Sequence, residues 1–266
     1  MFGNIFDQQK PGQLYHVNME GGRTVLAEPD EQFADAVFYY WLMEITVEDL
    51  QLIVIPDGAM DIVFSPQIPE FSIVYPPAID QFSIPLRGPI FYAGISFEPE
   101  AALQYFNIDI KSISNFKPGI ETTRRLALER LVSNVQNIVQ IEQIKNIFDA
   151  ELSSNKLKAP NKVKPSTYQC FVEELDAGNT SKVAEKLGIS PRQFRRTVHD
   201  VSGLSPKQVQ RIVRLQQLLH EIFSEASLDL QDGYYDDSHR IKELKSLIGM
   251  TYGELRRMAE IYNSSL

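Results

Sequence analysis

From about Leu14 to Phe97, apolar, aromatic and β-branched residues come in short runs broken by turn signals. The runs predict strands at Val37–Ile45, Leu50–Ile55, Met60–Phe64, Phe71–Tyr75, Phe82–Leu86 and Ile90–Phe97. Between the second and third lies Pro56-Asp57-Gly58, where Pro fixes φ and Gly allows positive φ, so a tight antiparallel reversal is expected. Many short strands at this spacing imply a barrel or a sandwich.

The period then lengthens from two towards three and four. Glu98-Pro99-Glu100 opens a short helix through Phe106, with Pro in the first turn and acidic residues at the positive end of the dipole. Between Glu121 and Leu152, Leu128, Leu131, Val132, Val135, Ile138, Val139, Ile144, Ile147 and Phe148 form an apolar stripe over one or two helices. The stripe either covers the β-rich half or forms a seam between two copies of the chain. Ser153 to Ser166 holds Lys, Ser, Asn and Pro with little to bury, as an exposed linker does. The expected organisation is therefore α+β in two domains: a β-rich barrel or sandwich with flanking helices over 1–155, a linker over 156–165, and an all-α module over 166–266.

Within that module Thr180 can cap a helix through Leu187 whose Val183, Ala184 and Leu187 share one side, and Gly188 ends it. Ser190 and Pro191 then start a second helix running to Val201, ahead of Ser202-Gly203. Two helices joined by so short a Gly-containing turn make a helix-turn-helix. Phe194, Val198 and Val201 fall on the inner face of the second helix. Arg192, Gln193, Arg195, Arg196 and His199 remain for the outside, where arginine suits both forked contacts to guanine and pairing with phosphate.

Charge changes this picture less than its total suggests. The chain carries a net charge of -9, which argues against nucleic acid. Yet residues 160–266 hold 15 Lys and Arg against 14 Asp and Glu, leaving 11 against 21 in residues 1–159. The acidity lies in the β-rich half, away from the arginines.

The candidate chemistry points away from an enzyme. No nucleophile with its base, spaced carboxylate pair or Gly-rich phosphate loop is evident; Asp57 and Asp61 flank a turn, and Gly21-Gly22 lacks the rest of either phosphate fingerprint. Cys170 is the single cysteine and His16 the only histidine before residue 199, so neither a disulfide within the chain nor a multi-histidine metal centre is expected. Cys170, beside Phe171, reads as core. No apolar run reaches membrane-spanning length and the opening MFGNIFDQQK lacks a signal pattern, so a cytoplasmic protein without cofactor is expected.

VAEKLGISPRQFRRTVHDVSGLSPKQVQRIVRLQQLL and GYYDDSHRIKELKSLIGMTYGELRR resemble the two halves of the AraC/XylS-type DNA-binding module, over about residues 166–258. The resemblance implies two helix-turn-helix units on a long linker helix, here about Pro206 to Phe223, reading successive major-groove segments. It assigns base- and phosphate-facing roles to Arg192, Arg195 and Arg196 in the first recognition helix, and to Asp237, Ser238, Ile241 and Lys242 in the second. The second unit departs from the pattern: Ser224 to Asp232 is short and acidic, Asp229 replaces a small apolar residue, and Arg240 replaces the apolar residue usual after Ser-His. Acidic groups repel phosphate, so the second unit is expected to bind weakly, to lose base readout or to serve mainly as structure.

FYYW, PDGAMDIVF and GISFEPEAALQYF resemble the β-rich, cupin-like sensor domain that precedes this module in one AraC-type subgroup. Tyr39, Trp41, Asp61, Arg87 and Tyr92 are the candidate pocket residues, joined by Tyr40 and Asp57, since they offer apolar walls with a few polar groups. The expected partners are double-stranded DNA, a second copy of the chain, RNA polymerase and a small effector of unknown identity, with no membrane. The alternative is a regulator controlled by protein contacts without a small ligand, with a degenerate second helix-turn-helix.

Overall fold

The computed structural model describes residues 12–13, 20–106, 110, 134, 137–154, 171–172, 180–223 and 237–264. Seven strands come first: β1 (Gly22–Ala27), β2 (Val37–Ile45), β3 (Asp49–Val54), β4 (Met60–Ser65), β5 (Ile68–Tyr75), β6 (Phe82–Arg87) and β7 (Ile90–Phe97). Helices follow: α1 (Pro99–Phe106), α2 (Ile141–Ser154), α3 (Thr180–Lys186), α4 (Pro191–Ser202), α5 (Pro206–Phe223), α6 (Asp237–Ile248) and α7 (Tyr252–Ser264).

The strands form one five-stranded sheet in the order β1-β2-β7-β4-β5 and a separate two-stranded sheet of β3 and β6. Each pair is antiparallel, with Trp41 opposite Gly94, Asp61 opposite Ser96 and Leu52 opposite Ile84. The described sheets do not close into the expected cupin-like barrel. Pro56 and Pro76-Pro77 interrupt the chain just beyond β3 and β5, and Pro85 removes a backbone donor from β6, which breaks up continuous pairing.

The larger sheet is buried on both faces, which is why β2 reads as an unbroken apolar run. Tyr40 and Leu42 join Phe64, Ile95 and Phe97 in a core covered by α1 and α2. Their neighbours Trp41 and Met43 point the other way, towards Leu52 and Leu86 of the small sheet. Gly94 leaves room for the indole laid across it, since a Cβ there would stand 2.5 Å from Trp41 and 2.8 Å from the Ile62 carbonyl. β1 was not among the expected strands; Gly21, at φ 84°, makes the turn into it.

α2 settles part of the apolar stripe. Ile144 and Phe148 are buried in the chain's own core, where Phe148 stacks on Tyr40 at 5.5 Å and the Tyr40 hydroxyl donates to Asp149 Oδ1 at 2.6 Å. Lys145 pairs with both Asp149 and Asp30. These positions cover the sheet and cannot also form a seam between copies. Leu128, Leu131, Val132 and Val135, like Cys170, the 156–165 linker and the Ser224 to Asp232 segment, lie outside the described residues.

α5 joins the two parts of the helical half. Val209 and Ile212 pack with Phe171, Phe194 and Val198, while Leu215, Leu219 and Phe223 pack with Leu244, Leu247 and Leu255. One helix of 18 residues, about 27 Å long at 1.5 Å per residue, therefore has its first half in one core and its second half in the next. Capping boxes start α5 and α7: Gln208 Oε1 accepts from Ser205 N at 2.7 Å, and Glu254 Oε2 from Thr251 N at 2.7 Å.

The β-rich half seats its β3–β4 turn on this helical assembly. Ile55 is fully buried among Leu215, Leu219, Ile222 and Leu247. The Gln216 side-chain amide donates to Pro56 O at 2.9 Å and accepts from Gly12 N at 2.8 Å. Gln13 ties the turn together by donating to Ile55 O and to Asp57 Oδ2. A third bond across the halves runs from Gln81 N to Leu247 O, 3.1 Å.

Candidate nucleic-acid interface and the cavity between the sheets

α3 ends as its sequence requires. Gly188 takes φ 68°, its N–H donates to Glu185 O at 3.0 Å, and Ile189 N donates to Ala184 O at 3.0 Å, the paired bonds of a Schellman motif. The next residue, Ser190, caps α4: its hydroxyl accepts from Gln193 N at 3.2 Å, and Pro191 occupies the first turn. Gly203 ends α4 at φ 73°. The short turn and its caps thus fix where α4 begins and how it is rotated.

Phe194, Val198 and Val201 are buried, with Phe194 edge-on to Phe171 at 4.9 Å. The same rotation leaves Arg192, Gln193, Arg195, Arg196 and His199 all exposed. Lys182, Lys186, Lys207 and Arg214 add exposed positive charge on the neighbouring helices, which the sequence reading did not single out. An arginine-rich outer face on the second helix of such a turn has the charge and the forked donors for phosphate and base edges.

In the second unit α6 begins at Asp237. Lys242 and Lys245 are exposed on it; the side chains of Asp237, Ser238, Arg240 and Ile241 lie outside the described residues. α7, which packs against α5 and α6, carries exposed Arg257.

The candidate pocket residues part company. Trp41, Asp61 and Tyr92 line a cleft between the two sheets together with Tyr75, Phe82 and aliphatic side chains of β3 and β6. Its empty space, counted out into open solvent, comes to about 490 Å³. Tyr39 and Tyr40 are buried in the β-rich half but do not line it, and Asp57 stands in the turn seated on α5. Arg87 is exposed at the end of β6, 3.7 Å from Asp49, away from the cavity. Tyr75 and Phe82, stacked at 5.8 Å, were missed. Their signal was present: Phe82, Ile84 and Leu86 alternate along β6, as Leu52 and Val54 do along β3.

Asp61 is the one carboxylic acid of the lining, and it is 7% exposed. The Ser96 hydroxyl donates to it. Burial pushes its carboxyl well up, the nearby Asp57 pushes further, and the bonds from Ser96 and Trp41 only partly offset them. Asp57 is raised too, chiefly by burial, against bonds from Gln13 and Ala59. The folded chain therefore holds these protons to higher pH than the unfolded chain does. No cost arises below the unfolded carboxylate range, and stability falls as pH rises from there through the folded value. Asp61→Asn is expected to leave stability unchanged near pH ~2.5 and to raise it increasingly towards neutral pH, by about 1 kcal/mol or more. Urea unfolding of both proteins across that range measures it, and a gain independent of pH would contradict the assignment.

Among the described residues no group of three or more His, Cys, Asp or Glu could hold a metal ion, and no helix is long and apolar enough to cross a membrane.

Residues 183–258 match a family described as a helix-turn-helix domain, and residues 26–117 match DUF6597, a domain of unknown function. No curated protein matches the chain. Among solved structures, ToxT from Vibrio cholerae O395 aligns at 10% identity and a TM-score of 0.37, covering 91% of this chain and 99% of that one. An apo ToxT variant from Vibrio cholerae strain SCE256 aligns at 10% and 0.34, with the same coverage. At those scores the likeness carries no weight for fold or function. The matched domains give this chain an AraC-type helix-turn-helix domain, the DNA-binding part of a transcription regulator, behind an N-terminal DUF6597 domain.

Proposed function

We propose that the chain binds double-stranded DNA sequence-specifically, with the N-terminal part of α4 in the major groove, and that the β-rich half controls this binding in response to an effector. The observation that carries the first part is the division of α4 between buried Phe194, Val198 and Val201 and exposed Arg192, Gln193, Arg195, Arg196 and His199. The second part is supported by the seat of Ile55 in the helical core, since a change in the β3–β4 turn would act directly on α5. Ser238 and Lys242 of the second unit play the lesser part in binding, RNA polymerase is the partner through which the bound regulator acts, and the chain has no enzymatic role.

Alanine variants titrated against a selected duplex at about 50 mM and about 200 mM salt test the first part. An arginine on a base edge should cost about 1–3 kcal/mol and relax sequence preference, whereas one on phosphate should weaken all sequences and reduce the salt slope by about 1. Arg196→Ala should lose more affinity than Lys242→Ala; the reverse order would move the reading surface to the second unit.

Self-association belongs to the same proposal, with two copies placing their helical modules on separate half-sites. Because Ile144 and Phe148 are committed to the core, the contact has to use other surfaces of the first half. Light scattering at micromolar concentration should give twice the chain mass of 30.3 kDa. A mass of one chain would remove the dimer.

A further inference from the structure

The cavity between the sheets joins a buried carboxyl to aromatic walls, with Asp61 set among Trp41, Tyr75, Phe82 and Tyr92. Among the described residues no Lys or Arg forms an ion pair with Asp61. The Asp57 carboxylate nearby adds negative potential, and the phenols of Tyr39, Tyr75 and Tyr92 bring no positive charge. Such a site selects among ligand classes. A sugar or other polyol would leave most of its hydroxyls against hydrocarbon without partners. A carboxylate or phosphate would meet no cation in the lining and the negative potential of Asp57 beside it. An ammonium group finds a counter-ion in Asp61 and π faces around it, while its apolar body replaces water against the side chains of β3 and β6.

We propose that this cavity binds an aryl- or alkyl-amine, whose ammonium group pairs with Asp61 and whose apolar body lies against Trp41, Tyr75 and Tyr92. The inference rests on the reading of the β-rich half as an effector domain and supplies the chemical class of the effector. Asp61 lies on β4, four residues beyond Asp57 in the turn whose Ile55 enters the helical core, so charge placed on Asp61 acts on the element that touches α5. The ammonium group favours the ionised form of Asp61, whose proton passes to solvent, and offsets the repulsion from Asp57 that otherwise keeps that proton on.

Trp41 is the chain's single tryptophan, so its fluorescence reports the cavity in the full-length protein. The probes are 2-phenylethylamine, 2-phenylethanol and phenylacetate, which share a body and differ in the head group. The amine is expected to change Trp41 emission saturably and to bind roughly tenfold or more tighter than the alcohol, with no saturation by phenylacetate. Asp61→Asn should bring the amine down to the affinity of the alcohol. Val63→Phe, which keeps Asp61 but fills the cavity, should remove saturation by both, and circular dichroism of each variant confirms that it is folded. Equal affinity for amine and alcohol, unchanged amine binding in Asp61→Asn, or no saturable response to the amine would overturn the proposal. Anisotropy of a labelled duplex without amine tests the regulator reading separately: amine binding with no DNA binding would sink that reading and leave the cavity assignment standing.

Discussion

Replacing Arg192, Arg195 and Arg196 together by alanine is expected to weaken binding to a selected duplex by more than about 100-fold while leaving the fold intact. The three side chains are exposed and their removal opens no cavity, because the helix is held by Phe194, Val198 and Val201 on its other face. Surface changes of this kind cost little stability, and alanine is the best helix former. The loss of binding follows from the contacts: even the low end of about 1–3 kcal/mol per base-reading arginine sums to roughly 3 kcal/mol over three. Fluorescence anisotropy gives the affinity and a thermal melt gives the control. A variant that melts like the parent and binds like the parent would show that DNA meets some other surface.

Ile55→Ala is expected to have the largest effect on how the two halves hold together. Its side chain is fully buried, and it lies in the core of the helical half although it belongs to the β3–β4 turn. Truncating a buried Ile to Ala costs about 2–5 kcal/mol, and here the cost falls on the contact between the halves. What remains of that contact includes the polar bonds of Gln216 to Pro56 and Gly12 and of Gln81 to Leu247. Each such bond contributes only about 0.5–1.5 kcal/mol net. Calorimetry should therefore show one transition in the parent splitting into two in the variant. A single transition merely shifted downward would mean that the halves stay coupled through other contacts.

The contrast between these positions explains what the sequence discloses. The face of α4 was legible because period 3.6, a Ser-Pro start and a Gly stop all act locally, and each appears as a bond or dihedral where it was expected. Strands β2 and β7 were read to the residue, since a run buried on both faces is apolar throughout. Ile55 was not legible as a contact between halves, because it continues the apolar pattern of β3 and nothing local marks its neighbours as lying some 160 residues further along the chain. Gln216 reads as a solvated helix residue for the same reason. The barrel expectation failed on pairing: alternation fixes which face of a strand is buried and leaves open which strand lies beside it. In the cavity Asp61 stood out as an acid among apolar positions, whereas Arg87 is equally conspicuous in sequence and points to solvent beside Asp49.

The reading of bases by α4 is tested most directly by selecting duplexes from a random pool with the full chain and repeating the selection with Arg196→Ala. The account predicts that the parent enriches one motif and binds it far more tightly than unselected DNA, and that the variant loses preference at particular base pairs of that motif. Failure of the parent to enrich any sequence, or recovery by the variant of the same motif with the same preference at every position, would contradict it.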